Sequence, residues 1–218
     1  MINAIGLRWI LTALFIVPAL HALWLTATSG RAPTNRVGHA LHAVMGILMV
    51  AMAWPWGMDL PAGPGIVVFS AGALWFTAAA AVRSWASGAH AAALPAALPH
   101  IVMMAAMAWM SAVMNGSAGS SGVSGGGHDM PGMDMSGAGA ASAMTLSRAG
   151  DQWTAGLLAV ALVALGLRWL AQAFDRGRVA APAAPPGTAA LVSRTEALEP
   201  ACHAAMALGM GVMFVLLV

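Results

Sequence analysis

Of the 218 residues, 60% are hydrophobic and only 7% are charged, with a mean hydropathy of +0.81, a balance that excludes a soluble globular domain. The formal charge of +2 rests on nine arginines and no lysine, scattered through the connecting segments, so a nucleic-acid-binding surface has no support. The single cysteine, Cys202, excludes an intrachain disulfide framework and any Cys-x-x-Cys metal site.

A helix that crosses a bilayer needs about 20 mostly apolar residues, and six runs qualify, at roughly 6–26, 37–56, 65–83, 98–115, 153–173 and 200–218. These predict an all-α membrane protein with six transmembrane helices. Residues 1–115 then carry helices 1 to 4, residues 116–152 form an outer loop rich in Gly, Ser, Met and His, and residues 153–218 carry helices 5 and 6 of the same single domain.

The first run includes Arg8 near its start and His21 near its end. A cleaved signal peptide over residues 1–28 is the competing reading, but the apolar run is long and is followed by Arg31 and Arg36, which favours a retained helix. The second run opens HAVMGILMVAM at residues 42–52, with His39 one turn earlier. Its pattern, H-x-x-M-x-x-x-M-x-x-M, recurs as HIVMMAAMAWM at 100–110 and HAAMALGMGVM at 203–213. His42, Met45, Met49 and Met52 thus align with His100, Met103, Met107 and Met110, and with His203, Met206, Met210 and Met213.

The copies fall on the second, fourth and sixth runs, each the second member of a helix pair. Three helical hairpins in a pseudo-threefold bundle follow from this repeat. Offsets of 0, 3, 7 and 10 are successive a and d heptad positions, so each helix carries its donors on one narrow seam. Seams sharing one axis would stack a His layer and Met layers about 4.5, 10.5 and 15 Å further along.

Thioethers are soft, neutral ligands that suit Cu(I), and imidazole also accepts copper. Repeated weak Met sites let a monovalent ion move by ligand exchange. The competing reading is that methionine packs irregular apolar cores well.

The fourth run begins beyond His90, with Pro99 at its expected start, a position where proline's missing N–H costs nothing. After it, the Gly- and Ser-rich residues 116–127 read as a tether leading into HDMPGMDM at 128–135. His128, Met130, Met133 and Met135 lie within eight residues and are broken by Pro131 and Gly132, so they can fold around one soft ion. This looks like the Met- and His-rich copper-capture segments of extracytoplasmic copper-handling proteins.

The fifth run ends with Arg168 and Trp169. Residues 175–198, containing APAAPPGTAA, read as an extended linker, and Pro200 is expected to start the sixth helix just before Cys202 and His203. Cys202 is a further candidate copper ligand at the inner mouth.

Arg31, Arg36, Arg83, Arg176, Arg178 and Arg194 fall on one side of this topology, against Arg8 and Arg148 on the other. By the positive-inside rule the first group is cytoplasmic and both termini are extracytoplasmic. The tryptophans agree: Trp24, Trp85 and Trp169 lie at inner ends, and Trp9, Trp54, Trp56 and Trp153 at outer ends, as an aromatic belt requires.

The six-helix layout, ACHAAMALGM at the last helix and H-x-x-M-x-x-x-M on the second together resemble an uncharacterised family of actinobacterial multi-pass membrane proteins, defined only as a domain of unknown function. The resemblance covers most of the chain apart from the Gly/Ser loop, and it implies a bacterial plasma membrane but no activity. The Met-x-x-x-Met pairs (Met45 with Met49, Met103 with Met107, Met206 with Met210) are similar in spacing to the Met rings of trimeric copper transporters. Those proteins use three separate chains, whereas one chain supplies all three seams here.

The expected function is copper binding in the membrane, with Cu(I) transport or delivery through the His/Met seams. The partners are then the lipid bilayer, the metal ion, and a copper chaperone or cuproenzyme. The alternatives are a haem-binding electron-transfer protein, using a pair among His42, His100 and His203 or a His with a Met as axial ligands, or a non-catalytic assembly protein whose Met seams are packing. Enzymatic activity is not expected: the apolar runs contain no acidic pair and no nucleophile with a base at useful spacing, and no glycine loop leads to a phosphate-binding lysine.

Overall fold

The structure is a computed structural model that describes residues 5–28, 33–87, 90–120, 149–179 and 189–217. These residues form α1 (Ile5–Ala27), α2 (Pro33–Ala53), a short 3-10 turn (Pro55–Asp59), α3 (Ala62–Ser87), α4 (His90–Ser120), α5 (Ala149–Val179) and α6 (Ala189–Val215), with no strand among the described residues. All six helices are long and apolar enough to cross a membrane, as the hydropathy predicts. Each consecutive pair packs together, α1 on α2, α3 on α4 and α5 on α6, giving the three hairpins expected from the repeat.

The chain divides into two compact units, one holding α3 and α4, the other holding α1, α2, α5 and α6. In the four-helix unit α1 also packs on α6. Glycines set how closely its helices approach. A Cβ on Gly46 of α2 would lie 2.8 Å from the Ala19 Cβ and 3.1 Å from the Phe15 carbonyl oxygen of α1. One on Gly209 of α6 would lie 2.7 Å from the Phe15 ring. Phe15, fully buried, thus touches α2 through its backbone and α6 through its side chain, and small residues at both contacts let the three helices close.

The register of α5 against α6 is antiparallel: Gly166 faces Leu208, Val163 faces Gly211, and Trp169 meets His203. The Arg36 side chain donates to the Thr26 carbonyl at 3.1 Å, tying the start of α2 to the end of α1.

Helix ends follow local chemistry in some places and depart from the sequence reading in others. Pro55 pushes Trp54 into extended backbone (φ −108, ψ 152), which ends α2 at Ala53. Asp151 in the first turn of α5 and Arg176 and Arg178 in its last complement the helix dipole. Those arginines are therefore helical, and the expected extended linker over 175–198 shortens from both sides, since α5 runs to Val179 and α6 begins at Ala189.

Pro99 and Pro200 do not start their helices either; each lies inside a helix that begins about ten residues earlier. The stretch before Pro99 is rich in alanine, the best helix former, and the one before Pro200 mixes Ala, Leu, Arg and Glu, which are also good helix formers. A proline inside a membrane helix loses one donor, which the surrounding structure tolerates.

Candidate metal centre

Burial follows the repeat. On α2, His42, Met45 and Met49 are buried while Val44 and Ile47 are exposed, and Met52 is half-buried. On α4, Met103, Met107 and Met110 are buried and His100 is half-buried. On α6, Met206, Met210 and Met213 are buried, His203 is half-buried, and Val212 and Val215 are exposed. The a/d spacing therefore marks the inward face of each helix.

Within the four-helix unit two of these seams meet at their histidines. The His42 and His203 rings lie edge to face, with centroids 4.8 Å apart and planes at 82°. Their ligating nitrogens lie within 4.8 Å of one another. An ion bound at about 2 Å by each of two imidazoles needs a nitrogen separation of up to about 4 Å, so a small side-chain adjustment allows both to ligate.

His42 is oriented by its own helix. Its Nδ1 lies 2.7 Å from the Gly38 carbonyl oxygen. A carbonyl only accepts, so Nδ1 carries the proton and donates, leaving Nε2 as the lone-pair nitrogen of the neutral ring. Metal-binding histidines are commonly held this way, with the second ring nitrogen anchored to a backbone carbonyl. Methionines one turn along each helix, Met45 and Met206, are both buried and place thioethers next in each seam.

In the two-helix unit His100 stacks on Phe76 of α3, with centroids 5.2 Å apart and planes at 29°. Met104, outside the seam, is fully buried as well, so α4 presents a wider methionine face than the repeat indicates. Ser111, one turn beyond Met107, is also buried.

One more contact was not anticipated from the sequence. Trp169, expected at the inner interface of the bilayer, is 8% exposed and lies against His203, with centroids 5.2 Å apart and planes at 30°. His39 is buried one turn before His42. Cys202 is half-buried beside His203 in sequence, and His21 sits 6.2 Å from Trp24. The loop ligands His128, Met130, Met133 and Met135 lie outside the described residues.

The sequence that builds these helices has a counterpart among known families. Residues 34–217 match the domain of unknown function DUF5134. The chain belongs to that family. The matched region runs from the first turn of α2 to just past the end of α6 and contains all three seams of the repeat. Uncharacterized proteins of Mycobacterium tuberculosis and Mycobacterium bovis are similar to it, each 39% identical over 118 residues, which is 53% of this chain and 53% of the relative. The match thus spans about half the length of these curated relatives. No solved structure matches. The DUF5134 family and its actinobacterial relatives agree with the resemblance carried by the sequence, and the chain is a multi-pass helical membrane protein of a bacterial family.

Proposed function

We propose that the chain binds copper within the membrane, as Cu(I), through the His and Met donors of its repeated seams, and passes it along them. The observation that carries this reading is the His42 and His203 pair: two copies of one repeat, on separate helices, bring their imidazoles into contact. The Nδ1 bond of His42 to Gly38 leaves Nε2 as the donor atom, and buried thioethers follow one turn along each helix. Two neutral imidazoles and neutral thioethers bind a monovalent soft cation without placing a net negative charge in the apolar span. The third seam, His100 with Met103, Met107 and Met110, carries the same donors.

In this proposal the HDMPGMDM loop captures the ion outside the cytoplasm, the methionines conduct it and the histidines receive it for a chaperone or cuproenzyme. Import follows from the arginine distribution, which sets both termini outside the cytoplasm of a bacterial plasma membrane.

Copper quantification on washed, purified protein tests the reading. Wild type is expected to retain stoichiometric copper, and His42→Ala with His100→Ala and His203→Ala to lose it. Equal copper in both, or none in wild type, overturns the proposal in favour of methionine packing. Haem is the other redox-active candidate, but two axial ligands must approach a porphyrin from opposite faces. Rings in edge contact, as His42 and His203 are, leave no plane between them for it. A Soret band in the visible spectrum would reverse this ranking.

A further inference from the structure

We infer that Trp169 is a positioning residue for His203 as a copper ligand, an inference that rests on the metal-binding reading above. Exposed tryptophans are the rule in this chain: Trp9, Trp24, Trp56, Trp85 and Trp153 are 57% to 80% exposed, as interfacial anchors are. Trp169 is buried instead, and its indole packs against the His203 ring with centroids 5.2 Å apart and planes inclined by 30°. The His42 ring meets the same imidazole in a T-shaped contact at 82°.

A ring packed between an indole on one helix and a second imidazole on another cannot turn about its Cβ–Cγ bond without displacing one of them. Its lone pairs lie in its own plane, so the stack fixes the direction in which His203 donates. Loading a cation on His203 leaves partial positive charge on the ring, which the negative face of an indole favours. Trp169 therefore steadies the free ligand and stabilises the loaded one.

Space-filling alone gives a weaker account. The approach of α5 to α6 is already set one turn away, where a Cβ on Gly166 would lie 2.6 Å from the Leu208 Cγ. A tryptophan is not needed there as a spacer.

The test compares full-length wild type, Trp169→Phe, Trp169→Leu and His203→Ala in detergent. Cu(I) is titrated against a chromophoric Cu(I) chelator of known affinity while tryptophan emission is recorded. Outer-shell partners of a metal ligand change affinity by about 10- to 100-fold when removed. Trp169→Leu is expected to weaken Cu(I) binding tenfold or more, while Trp169→Phe, which keeps an aromatic face, stays within about threefold of wild type.

Cu(I) is also expected to quench emission in wild type, with most of the quenching lost in Trp169→Phe, since the Trp169 indole lies against the His203 ring. If Trp169→Leu loses its helical circular dichroism, the Phe variant and the quenching decide. Wild-type affinity in a folded Trp169→Leu, or undiminished quenching in Trp169→Phe, overturns the role of Trp169 and leaves copper binding standing. Wild type that binds no Cu(I) overturns the metal reading and this inference with it.

Discussion

Gly46 is where a single methyl group tests the packing that brings the two histidines together. In Gly46→Ala the new Cβ would lie 2.8 Å from the Ala19 Cβ, 3.1 Å from the Phe15 carbonyl oxygen and 3.5 Å from the Ala19 Cα. Carbon atoms pack at about 3.5–4.0 Å, so the closest contact is short by at least about 0.7 Å. The obstacles are backbone and a Cβ, none of which can rotate away, so α1 and α2 must separate. Overpacking of this kind costs about 1–3 kcal/mol. For a chain of this size that is a fall in Tm of roughly 2 to 12 °C, measured by circular dichroism in detergent.

Ala19→Gly removes the closest contact. The double variant is therefore expected to regain at least about 1 kcal/mol relative to the sum of the two single changes. Because Phe15 also lies against Gly209 of α6, the separation should spread α2 from α6 and lower copper retention along with Tm. An unchanged Tm in Gly46→Ala, or strictly additive effects in the double variant, would refute the close-approach argument.

Gly156, inside α5, makes the contrast: a Cβ there would meet nothing within 4 Å. Gly156→Ala is expected to stabilise the protein by about 0.5–1 kcal/mol through helix propensity, seen as a rise in Tm. Leucine conserves the volume of methionine, so Met49→Leu with Met107→Leu and Met210→Leu should each cost less than about 1.5 kcal/mol. The triple variant is nonetheless expected to lose copper by elemental analysis and uptake in cells; unchanged copper content and uptake would remove the methionines from the proposed path.

The helices and their inward faces were legible because both depend on periodic hydrophobicity, which local sequence records directly. His42, Met45 and Met49 could be assigned to one face from spacing alone, and their burial agrees. Helix ends were less legible. Pro99 and Pro200 mark a helix start only when the residues before them are poor helix formers, and here those residues are mostly good ones, chiefly Ala and Leu before Pro99 and Ala, Leu, Arg and Glu before Pro200. Trp169 misled for a related reason. A tryptophan beside Arg168 at the end of an apolar run carries the signature of an interfacial anchor, and only the register of α5 on α6 turns its indole to His203. Gly46 and Gly209 carried no local signal, because what they permit is the approach of another helix.

Packing and ligation make different demands on these seams, and the histidines separate them. A buried thioether loses nothing by facing hydrocarbon or another side chain, so methionine at 45, 49, 206 or 210 suits either account. A buried imidazole must have its polar atoms met, at a cost that leucine in the same place would avoid. His42 meets part of that demand within its own helix through Gly38, which also selects the tautomer with Nε2 as donor. His203 is held between the Trp169 indole and that same His42 ring. Leucine or methionine at these places would need neither contact, whereas an imidazole that serves as a metal ligand uses such contacts to aim its donor nitrogen.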